Sequence, residues 1–163
     1  MKNSKARQKI TGCLDRSECP ITNTLDLIGD KWTLLIIRDM LFLKKKSFNE
    51  FLESPEGIAT NILTDRLKGL LSMGIIEYLP HPKHKSKKIY YLTQKGKDLL
   101  PIMVDMIIWG GNYHPAPDMP KDRFERIKKD PRKFIQNVWK DLELWEVKNL
   151  KKVSTSSKKR GGL

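Results

Sequence analysis

Four lysines and two histidines crowd the stretch HPKHKSKK, His81 to Lys88, with no carboxylate among them. His81 and His84 have H-x-x-H spacing. The lysines would repel a divalent cation, however, and no Cys, Asp or Glu lies beside the pair, so no metal site is expected. The chemistry left to this loop is anion binding. Each of Lys83, Lys85, Lys87 and Lys88 can neutralise one phosphate and release its counterion. A solvated basic loop is the plain alternative. Cys13 and Cys19 are spaced for neither a C-x-x-C redox motif nor a zinc knuckle. Cys19 precedes a proline at a helix start, with Arg16 nearby, where the helix terminus and a cation lower a thiol's pKa. A quiet cysteine packed beside the helix is the competing reading. His114 stands alone in a proline-rich loop. The sequence has no glycine-rich phosphate loop, no G-x-S-x-G and no paired histidines with a nucleophile. Neither catalysis nor a cofactor is expected.

The whole chain shares the loop's sign. Its 163 residues carry a formal net charge of +13 and a pI near 9.8. A field of that sign favours a polyanion, with nucleic acid ahead of an anionic membrane surface. No apolar run approaches the ~20 residues of a membrane span. The N-terminal MKNSKARQKITG is basic without the apolar core of a secretory signal. The expected location is therefore the cytosol, at the nucleoid, with no membrane partner.

The elements around the loop read as helices and one hairpin. Pro20 suits a first helical position, Ile21, Leu25 and Ile28 recur at helical spacing, and Gly29 stops the run. Lys31 to Leu43 is apolar on most sides and reads as the buried centre of the domain. Ser47 and Glu50 form a capping box ahead of a short helix carrying Phe48, Phe51 and Leu52. Ser54-Pro55-Glu56-Gly57 is turn chemistry, and Ala59 to Met73 is a second helix with Leu63, Leu67 and Leu70 on one face. Gly74 ends it. Two short strands follow, Ile75 to Leu79 and Lys88 to Leu92, flanking the lysine loop. This is a helix-turn-helix followed by a wing, mainly α with a small antiparallel β-hairpin.

Opposite the leucine face of the second helix, Asn61, Thr64, Asp65 and Lys68 point outward, with Thr60 at its start and Arg66 on a flank. Asparagine can pair with adenine edges, threonine methyls can meet thymine, and lysine reaches guanine or phosphate. Asp65 is repelled by phosphates unless it accepts from cytosine N4. An ordinary solvated helix face is the alternative. Thr93 can cap a further helix from Gln94 to about Gly110, kinked at Pro101. That helix is apolar beyond what one small domain covers, which points to a partner helix from a second subunit. NYHPAPDMP is a loop, and Asp130-Pro131 opens a last helix striped with Phe134, Ile135, Val138, Trp139, Leu142 and Trp145.

The runs CPITNTLDLIGDKWTLLIIRDML, SFNEF, GIATNILTDRLKGL, GIIEYLP, YYLTQKG and LLPIMVDMIIWG together resemble the HxlR-type transcriptional regulators, winged-helix proteins of MarR-like architecture. The resemblance covers roughly residues 19–110. It implies a homodimer on double-stranded, pseudo-palindromic operator DNA that represses or activates nearby genes. The recognition helix would be Ala59–Met73 and the wing Pro80–Lys88, with Gln94–Gly110 and the N-terminal helix making the dimer. In some members the cysteine before the proline senses oxidants or electrophiles, and Cys19 occupies that position. Members usually carry serine where Ala59 stands, which shifts the cap to Thr60. The wing is also richer in lysine than usual.

The expected organisation is a basic tail (1–15), a DNA-binding and dimerisation domain (16–112), a helical extension (113–152) and a disordered basic tail (153–163). A winged-helix protein-interaction module and a thiol-based redox protein acting through Cys19 are the competing functions. Nothing in the sequence names a small-molecule effector.

Overall fold

The computed structural model describes residues 18–84, 86–114 and 119–158. These residues form two compact units, one of residues up to 40 with 44–93, the other of 41–43 with the residues from 94 on. Apart from residues 41–43, the division falls at 93/94.

The first unit holds α1 (Pro20–Ile28), α2 (Lys31–Phe42, most of it), α3 (Phe48–Leu52), α4 (Thr60–Ser72) and the hairpin β1 (Ile76–Pro80) and β2 (Lys88–Leu92). Its core is Ile36, Ile37, Met40, Phe51, Leu63, Leu67, Leu70 and Ile76, all buried. Asp30 starts α2 by accepting from the Trp32 N–H at 3.0 Å and the Thr33 N–H at 3.2 Å. The capping box at Ser47 forms as expected, with the Ser47 N–H donating to Glu50 Oε2 at 2.7 Å. At the start of α4 the cap is Ala59, without a side-chain bond, and Thr60 is the first helical residue. The expected shift of the cap to Thr60 does not occur. The Ala59 carbonyl accepts from the Leu63 N–H at 2.9 Å, and the helix tolerates a cap without a side-chain acceptor because its leucine face is buried.

Gly74 closes α4 with φ +64°, a conformation that costs any other residue a Cβ clash. The Gly74 N–H donates to the Leu71 carbonyl and the Ile75 N–H to the Leu70 carbonyl, each at 3.0 Å. This turn feeds straight into β1. Cross-strand register pairs Tyr78 with Tyr90 and Pro80 with Lys88, and the Tyr90 N–H donates to the Lys46 carbonyl at 2.7 Å.

One cluster ties α2 to the turn before α4. Asp39 is buried, yet it accepts from Arg38 Nε at 2.9 Å and pairs with Lys45 Nζ at 3.2 Å. Ser54 Oγ also donates to it, and Arg38 Nη2 donates to Glu56 Oε2 at 3.0 Å. Lys45 is therefore a structural counter-ion. Removing Lys45 would leave Asp39 its Arg38 and Ser54 partners, so the loss falls short of the about 3–5 kcal/mol of an isolated buried pair.

The second unit contains α5 (Gln94–Lys97), α6 (Leu100–Tyr113), α7 (Lys121–Lys129) and α8 (Pro131–Lys158). The single kinked helix expected over 94–110 is instead two. Pro101 has no N–H to give, and its ring excludes the Lys97 carbonyl, so the chain breaks at Asp98–Leu99 and restarts. The expected loop over 112–120 is trimmed by α6 at one end, and α7 follows it directly. Gly111 is the reason α7 lies so close: a Cβ there would fall within 2.1 Å of the Phe124 ring. α8 opens on Asp130, whose Oδ1 accepts from the Lys133 N–H at 2.9 Å. It continues to Lys158, so residues 153–158 are helical rather than the disordered tail expected. Extending an existing helix needs no new nucleus. Phe134 packs on Phe42 with ring centroids 6.0 Å apart.

Candidate nucleic-acid interface

The unit that carries the helix-turn-helix also carries the wing. Within it, α3 and α4 flank the Ser54–Gly57 turn. Burying Leu63, Leu67 and Leu70 leaves Thr60, Asn61, Asp65 and Lys68 exposed, with Thr64 and Arg66 half-buried. The Thr64 hydroxyl donates to the Thr60 carbonyl at 2.8 Å, which ties it to the helix backbone. Arg66 is not a loose cation. Its Nε pairs with Asp30 Oδ2 at 2.9 Å and its Nη1 with Asp65 Oδ2 at 2.5 Å. The exposed charges of α4 nearly cancel, so this helix offers shape and hydrogen-bonding groups rather than a strong field.

The field lies in the wing. Lys83, Lys87 and Lys88 are exposed, while Lys85 lies outside the described residues. The loop is closed by backbone bonds: His81 N–H to Lys87 carbonyl and Lys87 N–H to His84 carbonyl, both 2.9 Å. His81 Nδ1 accepts from the Lys83 N–H at 3.2 Å, and the His81 and His84 rings lie 5.2 Å apart. Lys88 Nζ sits 4.1 Å over the Tyr78 ring, which holds that cation at the root of the wing. Thr93 Oγ1 donates to the Gly74 carbonyl at 2.7 Å, fastening the end of β2 to the close of α4. Among the described residues no group of three or more metal-ligating side chains occurs.

Cys19 is exposed at the N-cap of α1. The Thr22 N–H, the Thr22 hydroxyl and the Ile21 N–H hold its thiol below the usual range, against a small opposing effect of burial. The sequence marks the 94–110 helix as too apolar for one domain without saying which of its residues stay uncovered. On α6, Ile102, Met106, Trp109 and Tyr113 are 45%, 47%, 62% and 67% exposed at spacings of four, three and four. On α1, Ile21 and Leu25 are exposed one turn apart. The buried side of α6 is Leu100, Met103 and Val104. A helix apolar on both sides, one of them uncovered in a single chain, is the signal that could have located the stripe.

A helix-turn-helix with an antiparallel hairpin after its second helix defines a winged helix-turn-helix protein. The sequence model of HxlR-like helix-turn-helix proteins matches residues 27–118, more than half of the chain, and the chain belongs to that family. The uncharacterized HTH-type transcriptional regulator YdeP of Bacillus subtilis is 32% identical over 114 residues, covering 70% of this chain and 83% of the relative. The uncharacterized HTH-type transcriptional regulator MT3179 of Mycobacterium tuberculosis is 32% identical over 100 residues. There the match covers 61% of this chain and only 62% of the relative, so the chain spans less than two thirds of that protein. Among solved structures, PA1607, a proposed transcription factor, superposes with a TM-score of 0.56 at 39% identity over 64% of this chain and 72% of its own. The redox regulator HypR in its oxidized form superposes with a TM-score of 0.53 at 33% identity, over 60% of this chain and 100% of its own. No described helix is long and apolar enough to cross a membrane.

Proposed function

We propose that this protein is a transcriptional regulator that binds a pseudo-palindromic operator as a homodimer. The observation that carries this reading is the division of labour between α4 and the wing. A nearly neutral, hydrogen-bonding helix face is suited to base edges, and a pre-folded lysine loop in the same unit is suited to phosphates. In this reading Thr60, Asn61, Thr64, Asp65 and Lys68 approach the major groove, and Lys83, Lys85, Lys87 and Lys88 hold the backbone. Arg66 serves from behind. The domain would run over residues 16–112, with the extension from 113 helping to hold α6. The exposed stripe of α6 supports pairing with a second copy, since a monomer would leave its four large apolar groups in water, and Ile21 and Leu25 of α1 add two more in the first unit.

The test is a binding titration against the DNA upstream of its own gene at several salt concentrations. Specific binding should exceed random DNA at physiological salt. Lys87→Gln removes one phosphate contact per protomer, so the slope of log K against log salt should fall by about 1.8 for a dimer. Equal affinity for all sequences would end the specific-regulator reading.

A second layer, control by oxidants through Cys19, is favoured by its exposed thiol at a helix N-terminus, its lowered pKa and the likeness to a redox regulator. Footprints with and without oxidant, repeated on Cys19→Ser, test it. An oxidant effect that survives the substitution removes Cys19 from that role.

A further inference from the structure

Arg66 is committed before any duplex arrives. Its guanidinium joins two carboxylates, Asp30 at 2.9 Å and Asp65 at 2.5 Å. Asp30 is itself anchored, because its oxygens accept from the Trp32 and Thr33 N–H groups that open α2, and Thr33 Oγ1 donates to it as well. Burial raises the Asp30 carboxyl, but hydrogen bonds from Thr33, Arg66 and Trp32 outweigh this and leave it below its ordinary value. The anchor is therefore ionised at neutral pH. Reading guanine would require Arg66 to offer two parallel N–H groups to O6 and N7. Its Nε lies against Asp30 and its Nη1 against Asp65, so offering any two neighbouring N–H groups to guanine would give up at least one of these ion pairs.

Asp65 is placed in the opposite way. Its side chain is 70% exposed against 34% for Arg66, and its ion pair uses Oδ2, so Oδ1 keeps its lone pairs for a further donor. A carboxylate in the major groove meets acceptors on guanine and thymine, but cytosine presents its N4 amino group as a donor. Nearby phosphates repel a bare carboxylate. The guanidinium paired with it offsets that repulsion.

We infer that Asp65 is a specificity-determining residue that accepts from the N4 amino group of one cytosine in each half-site, and that Arg66 is a positioning residue that does not touch DNA. This rests on the DNA-binding reading above. Selection from a random duplex pool tests it. The unaltered protein should enrich a cytosine at one fixed position per half-site, by about tenfold over other bases. Asp65→Ala should lose that preference while keeping the rest of the consensus.

Arg66→Met should weaken binding and blur the same position with its salt slope unchanged, and Arg66→Lys should restore part of the preference. The Asp65 variant, which removes only an exposed side chain, keeps the test independent of any folding defect in the Arg66 variants. An unchanged consensus in Asp65→Ala overturns the inference. So does a slope lowered by about 1.8 in Arg66→Met, the mark of a lost phosphate contact in each protomer. Failure of the unaltered protein to bind any duplex at low salt would overturn the DNA-binding reading, and this inference with it.

Discussion

Glu146→Ala should destabilise the second unit out of proportion to its place on a helix surface. Lys97 Nζ lies 2.9 and 3.0 Å from the two Glu146 oxygens and 5.2 Å over the Trp139 ring. The Lys97 side chain is 8% exposed and that of Glu146 24%. Deleting one partner of a buried pair costs about 3–5 kcal/mol, because the other charge stays in a poor solvent. Two features soften this. Water reaches the Glu146 side, and the ammonium keeps its contact with Trp139, worth about 0.5–1 kcal/mol. The net loss should be about 2–3 kcal/mol. At roughly 2–4 °C per kcal/mol for a chain of this size, the melting temperature falls by about 4–12 °C.

Thermal unfolding followed by circular dichroism measures the change. If the two units melt separately, only the transition of the second should move. Lys97→Met with Glu146→Leu should recover most of the loss by replacing the pair with apolar contacts. Asp122→Ala is the control, because its pair with Arg126 is exposed on both sides and worth at most about 0.5 kcal/mol. A shift for Glu146→Ala no larger than that of Asp122→Ala would refute the reasoning.

Trp109→Asp puts a charge in the middle of the exposed α6 stripe and should leave a monomer by light scattering at concentrations where the unaltered protein is a dimer. Lys44 has φ +58°, and the Lys45 N–H closes on the Asp39 carbonyl at 3.2 Å just beyond it. Relieving that strain in Lys44→Gly should raise stability by about 0.5 kcal/mol in a denaturant titration, after allowing for glycine's extra freedom in the unfolded chain. Alkylation of Cys19 should have a pH midpoint below that of an unstructured thiol, since a depressed pKa keeps the thiolate present at lower pH. Thr22→Val removes one of the groups responsible and should move the midpoint up.

What the sequence made legible is what depends on neighbours along the chain. The Ser47–Glu50 box, the Leu63–Leu67–Leu70 face, the Gly74 stop and the hairpin strands each follow from residues within a turn or a register of one another. What stayed hidden joins distant residues of types that usually face water. Lys97 and Glu146 are 49 positions apart, Arg38 and Glu56 18, and Asp39 and Ser54 15. A lysine in KGK carries no local mark of burial. Arg66 could be placed on the flank of a helix, but its partner Asp30 belongs to another helix, so its commitment to an ion pair could not be read from a wheel. α7 was overlooked because its single apolar pair, Phe124 and Ile127, is set among charges, and only the clearance at Gly111 gives it a seat. Pro101 was seen as a bend. It acts as a break because the last turn before it tightens, with the Leu99 N–H reaching the Gly96 carbonyl at 3.3 Å.

The backbone rungs from His81 and His84 to Lys87 hold the two limbs of the wing together. The uncomplexed protein therefore presents a closed, strongly basic loop, to which any dense run of negative charge is drawn. Little ordering is left to do at the moment of contact, which favours rapid capture. In the laboratory the same trait means that stray nucleic acid should travel with the protein through purification until salt is raised, and should return when it is dialysed away.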